Sequence, residues 1–275
     1  MSRSAAQIAY PFSTPIISAF SKGYYWSQPV FNLMGAPVLE EHSLLGLPDL
    51  FHELGHVVLF QCGDNFLADF RKQLHDHYSK ERRNIRDEQK PQEYEEIIVR
   101  VQEQWKDEWT SEFASDMIAT FLVGSAYGWA NLRLCSSSLS DDVFWPGPTD
   151  DASTHPSDDA RTKAIIDMLN LLGLKSDAAQ IEERWHDYVR LTNHSAPFDY
   201  ALCYPAVLLE KLAKAVFIGC AELGLKPFTS QSQMHSSVNI PILLNEAWQE
   251  FLKEPEKYPN WEANRLSELR RGLVP

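Results

Sequence analysis

The chain has 275 residues, of which 44% are hydrophobic and 12% aromatic, and its formal net charge is −13. This length can form one large domain, or a domain with an appended lobe, and either buries a substantial core. The acidic balance argues against general binding to nucleic acid or to an anionic membrane surface, because both repel a negatively charged protein. Four widely spaced cysteines and the lack of a secretory signal favour a reducing compartment, so we expect a cytoplasmic protein.

Short strands are predicted within residues 1–47, where aromatic and β-branched side chains occur among proline and glycine. Tyr24, Tyr25 and Trp26 are followed closely by Val30 and Phe31. Residues of these types favour extended backbone. A small β element is therefore expected near the N-terminus, ahead of a mainly helical chain.

The segment His52-Glu53-Leu54-Gly55-His56 follows the HExxH pattern of helical metal sites. Residues four apart on a helix lie about 40° apart around its axis, so His52 and His56 can take two corners of one tetrahedral site. Glu53, about 100° from His52, can reach an activated water without being a ligand. Gly55 leaves its side of the helix bare, so a second element can approach. The alternative is a buried amphipathic helix whose histidines form hydrogen bonds within the core.

This helix is expected to begin near Pro48 and Asp49, because proline and an acidic residue are both signals of a helix start. A charged helix is predicted next, over residues 64–90. One or two long helices are predicted over residues 92–134. Within this region, residues 105–123 contain no proline or glycine that would interrupt a helix.

Glu112 and Asp116 in that helical region are the candidates to complete a metal site. They are four residues apart and share one face of a helix. At this spacing Glu112 can bind the metal while Asp116 accepts a hydrogen bond from a ligating histidine and fixes its tautomer. Phe113 and other apolar neighbours favour burial, and a buried carboxylate needs a partner.

Other assignments of the third ligand stay open. Three protein ligands and an open position make a catalytic zinc site, whereas four make a structural one. Glu108, one helical turn before Glu112, could be the ligand instead. Cys62 could bind as a thiolate, although an isolated cysteine is more often a small buried hydrophobic residue. Acidic residues at this spacing are also common as a solvent-exposed stripe that binds nothing.

Residues 136–154 are predicted to form an irregular loop that is rich in serine, aspartate, proline and glycine. The loop would act as a lid or as a plain surface connection. It leads into Ser-Thr-His-Pro at 153–156, and Arg161 follows. Pro156 suits the first position of a helix, which would place His155 at the cap, where the helix dipole favours a neutral imidazole. The alternative for His155 is a cap residue without a catalytic part.

Helices are predicted in the C-terminal half over residues 156–172, 176–192, 204–223 and 239–253. Residues 255–275, which contain proline, tryptophan and many charges, are expected to be a tail. We divide the chain into a core of residues 1–162 and a helical region of residues 163–275. The two are expected to pack together as one globular unit.

HExxH, ExxxD and HPxxxxR in this order resemble the gluzincin zinc metallopeptidases, most of all a soluble relative of the CAAX-prenyl and heat-shock endopeptidase branch. The motifs run from Pro48 to Arg161, less than half of the chain. The resemblance implies a mainly α fold of the α+β zincin type, with one zinc ion. The implied zinc ligands are His52, His56 and Glu112. The implied catalytic and supporting residues are Glu53, His155, Asp116 and Arg161.

The chain departs from that branch in having no predicted membrane span. The most apolar stretch, Met117–Leu132, is interrupted by polar residues and falls short of the roughly 20 apolar residues that a span needs. Membrane substrates and prenylated partners are therefore not carried over, and a peptide or protein substrate is expected. In zinc peptidases an edge strand beside the active helix commonly binds the substrate backbone, and the strands predicted in residues 1–47 are the candidates.

The chemistry that these residues would support is hydrolysis of a peptide bond. Zinc held by two imidazoles and a carboxylate promotes deprotonation of water and polarises a carbonyl group. Glu53 would take the proton and pass it to the leaving amine, while His155 would donate a hydrogen bond to the developing oxyanion. The alternatives are a catalytically inactive metalloprotease-like module that binds or regulates a partner, and hydrolysis of an amide that is not a peptide.

Overall fold

The computed structural model describes residues 15–21, 24–37, 43–88, 91–137, 143–145, 155–229 and 239–273. Within these ranges the protein is mainly helical, with one small sheet near the N-terminus. The mainly α fold and the N-terminal β element predicted from the sequence are confirmed. Most of the predicted loop at residues 136–154, including Ser153 and Thr154, lies outside the described residues.

Three short strands form the sheet. They are β1 (Ile16–Ser21), β2 (Trp26–Gln28) and β3 (Leu33–Pro37). The order is β1-β3-β2, with β1 parallel and β2 antiparallel to the central β3. Trp26 stands opposite Gly35 in the register, and a Cβ atom built on Gly35 would lie 2.2 Å from Cε2 of Trp26. Glycine at this position lets the indole of Trp26 lie across the neighbouring strand.

The helices account for most of the remaining described chain. They are α1 (Asp49–Cys62), α2 (Ala68–Asp87), α3 (Gln92–Gln104), α4 (Thr110–Val123), α5 (Ser125–Ser137), α6 (Asp158–Leu171), α7 (Lys175–Thr192), α8 (Tyr200–Cys203), α9 (Ala206–Glu222), α10 (Ile240–Lys253) and α11 (Tyr258–Leu273). A 3₁₀ turn (Gly63–Leu67) joins α1 to α2, and a π-helical turn (Trp105–Trp109) joins α3 to α4. The hydroxyl of Thr110 donates a hydrogen bond to the carbonyl of Trp105 and closes the π turn.

The apolar stretch from Met117 to Leu132 is divided between two helices. Helix α4 ends at Val123, Gly124 has a φ of 63°, and α5 begins at Ser125. A positive φ is accessible to glycine without a steric penalty, so the chain changes direction there. Among the described residues, none of the helices has both the length and the apolar character needed to cross a bilayer.

The prediction of a tail over residues 255–275 is wrong, because α11 occupies most of it. Pro259 is the second residue of this helix, where a missing backbone N–H removes no helical hydrogen bond. Tyr258 is buried, and its ring stacks on that of Trp261 with centroids 5.8 Å apart. Packing of this aromatic face against the rest of the protein stabilises a helix whose sequence is polar on average.

Two hydrophobic clusters form most of the core, and both draw on residues from the two halves of the chain. One contains Phe113 and Leu212, and the other contains Phe51 and Trp248. The boundary that we drew between residues 162 and 163 falls inside α6. The C-terminal helices thus complete the core around α4.

Helices α1 and α4 cross where Gly55 meets Ser115. A Cβ atom built on Gly55 would lie 2.7 Å from Cα and 2.9 Å from Cβ of Ser115. The close approach predicted from the bare face at Gly55 is confirmed. His52 and His56 lie three residues before and one residue after this glycine, so the crossing brings their rings to the face of α4 that carries Glu112.

Gly55→Ala is expected to destabilise the protein by about 1–2 kcal/mol, since the added methyl group meets backbone atoms that cannot rotate away. The measurement is the free energy of unfolding in urea. Gly128→Ala is the matched control. The nearest atom to a Cβ there is Cδ1 of Ile181, at 2.5 Å, the flexible end of a side chain. An equal loss of stability in both variants would contradict the importance of the α1–α4 crossing.

Candidate metal centre

His52, His56 and Glu112 come together between α1 and α4. One donor atom of each residue lies within 4.8 Å of those of the other two. Nε2 of His56 lies 3.1 Å from Nε2 of His52. The Glu112 carboxylate places Oε1 3.3 Å from Nε2 of His56 and Oε2 3.4 Å from Nε2 of His52. This group could hold a metal ion.

The spacing of the three donors fits a tetrahedral zinc site. Donor atoms that bind zinc tetrahedrally at about 2.0–2.1 Å are separated from one another by about 3.3 Å. The two Nε2 atoms are separated by 3.1 Å, and each has its own Glu112 oxygen at 3.3 or 3.4 Å, all close to that value. In addition, Oε2 of Glu112 is buried and, among the described residues, makes no hydrogen bond of good geometry. A buried carboxylate oxygen without a hydrogen-bond donor fits the role of a metal ligand.

The outer nitrogen of each histidine ring has a partner of its own. Nδ1 of His52 is 2.8 Å from Oδ1 of Asp116, and Nδ1 of His56 is 3.2 Å from Oγ of Ser111. When these Nδ1 atoms carry the protons, the Nε2 atoms are left with lone pairs directed at the common point. Ser111 was not among the predicted residues, although it stands next to Glu112 in the sequence.

Asp116 is the centre of a buried network behind the metal group. Its side chain is fully buried, and Arg161 forms a fork with it, with Nε 2.8 Å from Oδ2 and a terminal nitrogen 2.7 Å from Oδ1. The hydroxyl of Tyr127 also donates a hydrogen bond to Oδ1. The ring of Tyr127 stacks on that of His52, with centroids 6.2 Å apart and an interplanar angle of 10°. This network fixes the orientation of the His52 ring.

Tyr127 is a site residue that the sequence did not reveal. It follows Asp116 by 11 residues, which would be about three turns of an unbroken helix. The positive φ of Gly124 interrupts the helix between the two residues. The helical period therefore could not predict that Tyr127 and Asp116 lie together. The one available signal was a tyrosine on the apolar segment after ExxxD, and such a residue is usually a core residue.

The charges of the metal group are strongly coupled. Burial alone would lower the pKa of His52, but its contacts with the Asp116 and Glu112 carboxylates outweigh burial and raise the pKa to about 10. Burial alone would raise the pKa of Glu112, but the nearby imidazoles of His52 and His56 hold it well below its usual value. Without a metal ion the carboxylate is thus charged and balanced by a proton on the imidazole. A bound cation would replace that proton.

His155 lies beside the metal group, but not at the predicted helix cap. The cap of α6 is Ser157, whose hydroxyl accepts a hydrogen bond from the backbone N–H of Ala160 at 3.2 Å. The helix therefore begins at Asp158 rather than at Pro156, because serine caps a helix more effectively than histidine. Nε2 of His155 is 3.6 Å from Oε2 of Glu112, and 61% of the side chain is exposed.

The neutral imidazole predicted for His155 has a different cause from the helix dipole. Desolvation against the site lowers its pKa, the negative charges of Glu112 and Asp116 oppose this, and the positive charges of Arg161 and His52 add to it. The lowered pKa favours the uncharged imidazole. In that state one ring nitrogen donates a hydrogen bond and the other accepts one.

An open cleft of about 810 Å³ gives access to these residues. His52, Glu53, His56, Glu112 and His155 line it. The β2 strand contributes Trp26 and Ser27 to one wall, and aromatic side chains contribute to others, namely those of Tyr25, Phe60 and Phe66. Glu53 is 9% exposed and is not one of the three donors of the metal group.

The two alternative ligands lie elsewhere. Glu108 is on the π-helical turn and is exposed to solvent. Cys62 is half-buried, and burial raises the pKa of its thiol to about 11, so it is not a thiolate at neutral pH. In the part of the chain that the structure describes, His52, His56 and Glu112 form the one group of histidine, cysteine or acidic residues with suitable spacing for a metal.

Comparisons of the chain with models of protein families, with curated proteins and with solved structures find no match. The resemblance to gluzincin peptidases therefore rests on three short sequence motifs. What this centre can do chemically follows from the arrangement of its own side chains, namely the three donors, the Glu53 carboxylate and the His155 imidazole around one cleft.

Proposed function

We propose that the protein is a zinc-dependent peptidase of the gluzincin type, in which His52, His56 and Glu112 hold one zinc ion. The observation that best supports this proposal is the convergence of these three donors in an open cleft that Glu53 also lines. A purely structural zinc site has four protein ligands and no access for a substrate. Here three donors face an accessible cavity, which suits catalysis.

When bound, zinc supplies Lewis acidity, which makes a water molecule easier to deprotonate and a carbonyl group easier to attack. The Glu53 carboxylate acts as the general base and accepts a proton from the attacking water. The water oxygen forms the new bond to the carbonyl carbon, and the C–N bond of the peptide breaks. Glu53 then gives its proton to the departing amine, so that a carboxylic acid group and a free amine leave the cleft.

His155 supplies a hydrogen-bond donor for the oxyanion that develops during this reaction. Its neutral ring stands at the edge of the metal group and reaches into the cleft. A donor that is already in place when charge develops lowers the barrier without reorganisation of solvent. Asp116 and Arg161 take no direct part, and they hold His52 in the orientation and tautomer that the site needs.

A polypeptide is the substrate that best fits the cleft. The β2 strand is terminal in the described sheet, and its residues Trp26 and Ser27 line the cavity. An extended peptide can add to such an edge through backbone hydrogen bonds, which are independent of side-chain sequence. The apolar side chains of Phe60 and Phe66 give the cleft surfaces against which substrate side chains can pack.

Removal of the metal tests this proposal. A library of peptides is incubated with the purified protein, and products are identified by mass spectrometry. Cleavage is expected to stop after treatment with a chelator and to return when one equivalent of zinc is added, but not with magnesium, because the donor set is nitrogen-rich. Cleavage that continues in chelated protein would contradict the proposal. Tight zinc binding without any cleavage would instead support the inactive binding or regulatory module.

A further inference from the structure

The C-terminal half of the protein reaches the segment that carries His155. The backbone N–H of Ser157, two residues after His155, donates a hydrogen bond to Oη of Tyr204 at 3.1 Å. Ser157 is completely buried and Tyr204 is 4% exposed. An N–H in such a place must have a protein partner, so the position of the His155 segment depends on this phenol oxygen.

A second tyrosine and an aspartate extend the same network. Oη of Tyr200 is 3.4 Å from Oγ of Ser157, and its hydroxyl also donates a hydrogen bond to Asp159. Tyr200 binds Oδ2 of Asp159, and Nζ of Lys163 lies 2.6 Å from the same oxygen. Oδ1 of Asp159 accepts a hydrogen bond from Nε1 of Trp185 at 2.7 Å. The first turn of α6 is thereby tied to α7 and α8.

Tyr204 also contacts the helical region that carries Glu112. Its ring stacks on Trp109, with centroids 4.7 Å apart and an interplanar angle of 29°. It meets Phe113 edge to face, with centroids 6.2 Å apart. Trp109 lies three residues before Glu112, and Phe113 follows it directly. A single buried side chain thus touches both the backbone two residues after His155 and two aromatic residues of the helical region that carries Glu112.

We infer that Tyr204 is a positioning residue, which sets the separation between the His155 ring and the metal group through its hydrogen bond to Ser157. The inference rests on the proposed function, since it assumes that His155 acts on the substrate. His155 stands outside the helix, and the backbone that follows it enters the buried Ser157 two residues later. The hydroxyl of Tyr204 holds that backbone, while its ring holds the helical region of Glu112.

Tyr204→Phe removes the phenol oxygen and keeps the ring stacked on Trp109. We expect kcat to fall by about 10- to 100-fold, the scale of a displaced catalytic group, with little change in KM or in zinc content. In a His155→Ala background the same substitution is expected to change kcat by less than about twofold, because its effect passes through His155. Equal losses in both backgrounds would show a merely structural role and overturn the inference.

Tyr258→Phe is the matched control. Tyr258 is 5% exposed and donates a hydrogen bond to Glu262 at 2.7 Å, so this variant also loses one buried hydroxyl, but on α11. Its kcat is expected to equal that of the wild type. Should Tyr204→Phe fail to fold, Ser157→Pro removes the other partner of the same hydrogen bond, the backbone N–H, at a φ of −59° that proline adopts, and Ser157→Ala is its control because it keeps that N–H.

Crystal structures of the wild type and of Tyr204→Phe test the positioning without any turnover. The distance from Nε2 of His155 to Oε2 of Glu112, 3.6 Å here, is expected to increase in the variant, while the His52 and His56 rings keep their places. An unchanged His155 overturns the inference, whatever the activity. If neither protein cleaves any peptide and His155 nevertheless moves, the proposed function fails and the positioning by Tyr204 stands.

Discussion

Glu53→Gln is expected to lower kcat for peptide cleavage by about 10²- to 10⁴-fold, the range of a lost general base. Glutamine keeps the size of the side chain but cannot accept the proton of the attacking water. Glu53 is not one of the three donors, so the variant should bind zinc as the wild type does. The measurement is kcat on the best peptide of the library, together with zinc content by mass spectrometry.

Glu108→Gln is the matched control for this loss. It makes the same chemical change one turn before Glu112, on an exposed position of the π-helical turn. Activity and zinc content are both expected to remain at the wild-type level. Full activity in Glu53→Gln would remove the general base from the mechanism, and loss of zinc in that variant would assign Glu53 to the metal itself.

Glu112→Gln is expected to weaken zinc binding by more than the roughly 10- to 100-fold that loss of an outer hydrogen-bonding partner costs a metal site. The substitution removes the one negative charge among the donors and leaves two neutral imidazoles as ligands. Activity should then return only at high zinc concentration, if at all. The measurement is a competitive titration of the metal-free protein against a zinc-binding dye.

Two control variants distinguish the loss of a zinc ligand from the loss of a carboxylate elsewhere in the protein. Glu103→Gln changes an exposed residue of α3 that forms a surface ion pair with Lys106, and its zinc affinity should equal that of the wild type. Asp116→Asn should weaken zinc binding less than Glu112→Gln, yet destabilise the fold by about 3–5 kcal/mol, because Arg161 loses its buried partner. Equal zinc affinity in wild type and Glu112→Gln would mean that the metal is held elsewhere.

The metal group was predictable from the sequence because its geometry is local. The helical period alone places His52 and His56 on one face of α1, and Glu112 and Asp116 on one face of α4. The missing side chain at Gly55 indicates where two helices can approach, and α4 does pack there. What the period could not give is which helix approaches. The apolar neighbours of Glu112 and Asp116 indicated that helix, and the resemblance of ExxxD to a family pattern agreed with it.

The remaining features depend on contacts between distant parts of the chain. Tyr127 reaches Asp116 only because the chain turns at Gly124. His155 is placed by Ser157 and its partners in the C-terminal half, which carries no motif of its own. The prediction of a tail over residues 255–275 was wrong because the segment is polar on average, although α11 has an aromatic face that packs against the protein. Each of these is a tertiary effect that overrides local preference.

The most direct measurement of the metal centre is X-ray diffraction from zinc-loaded crystals at the zinc absorption edge. One anomalous peak is expected at about 2 Å from Nε2 of His52, Nε2 of His56 and a carboxylate oxygen of Glu112. A zinc-loaded crystal with its peak at another place, or with the Glu112 carboxylate turned away from both rings, would contradict the assignment of this centre.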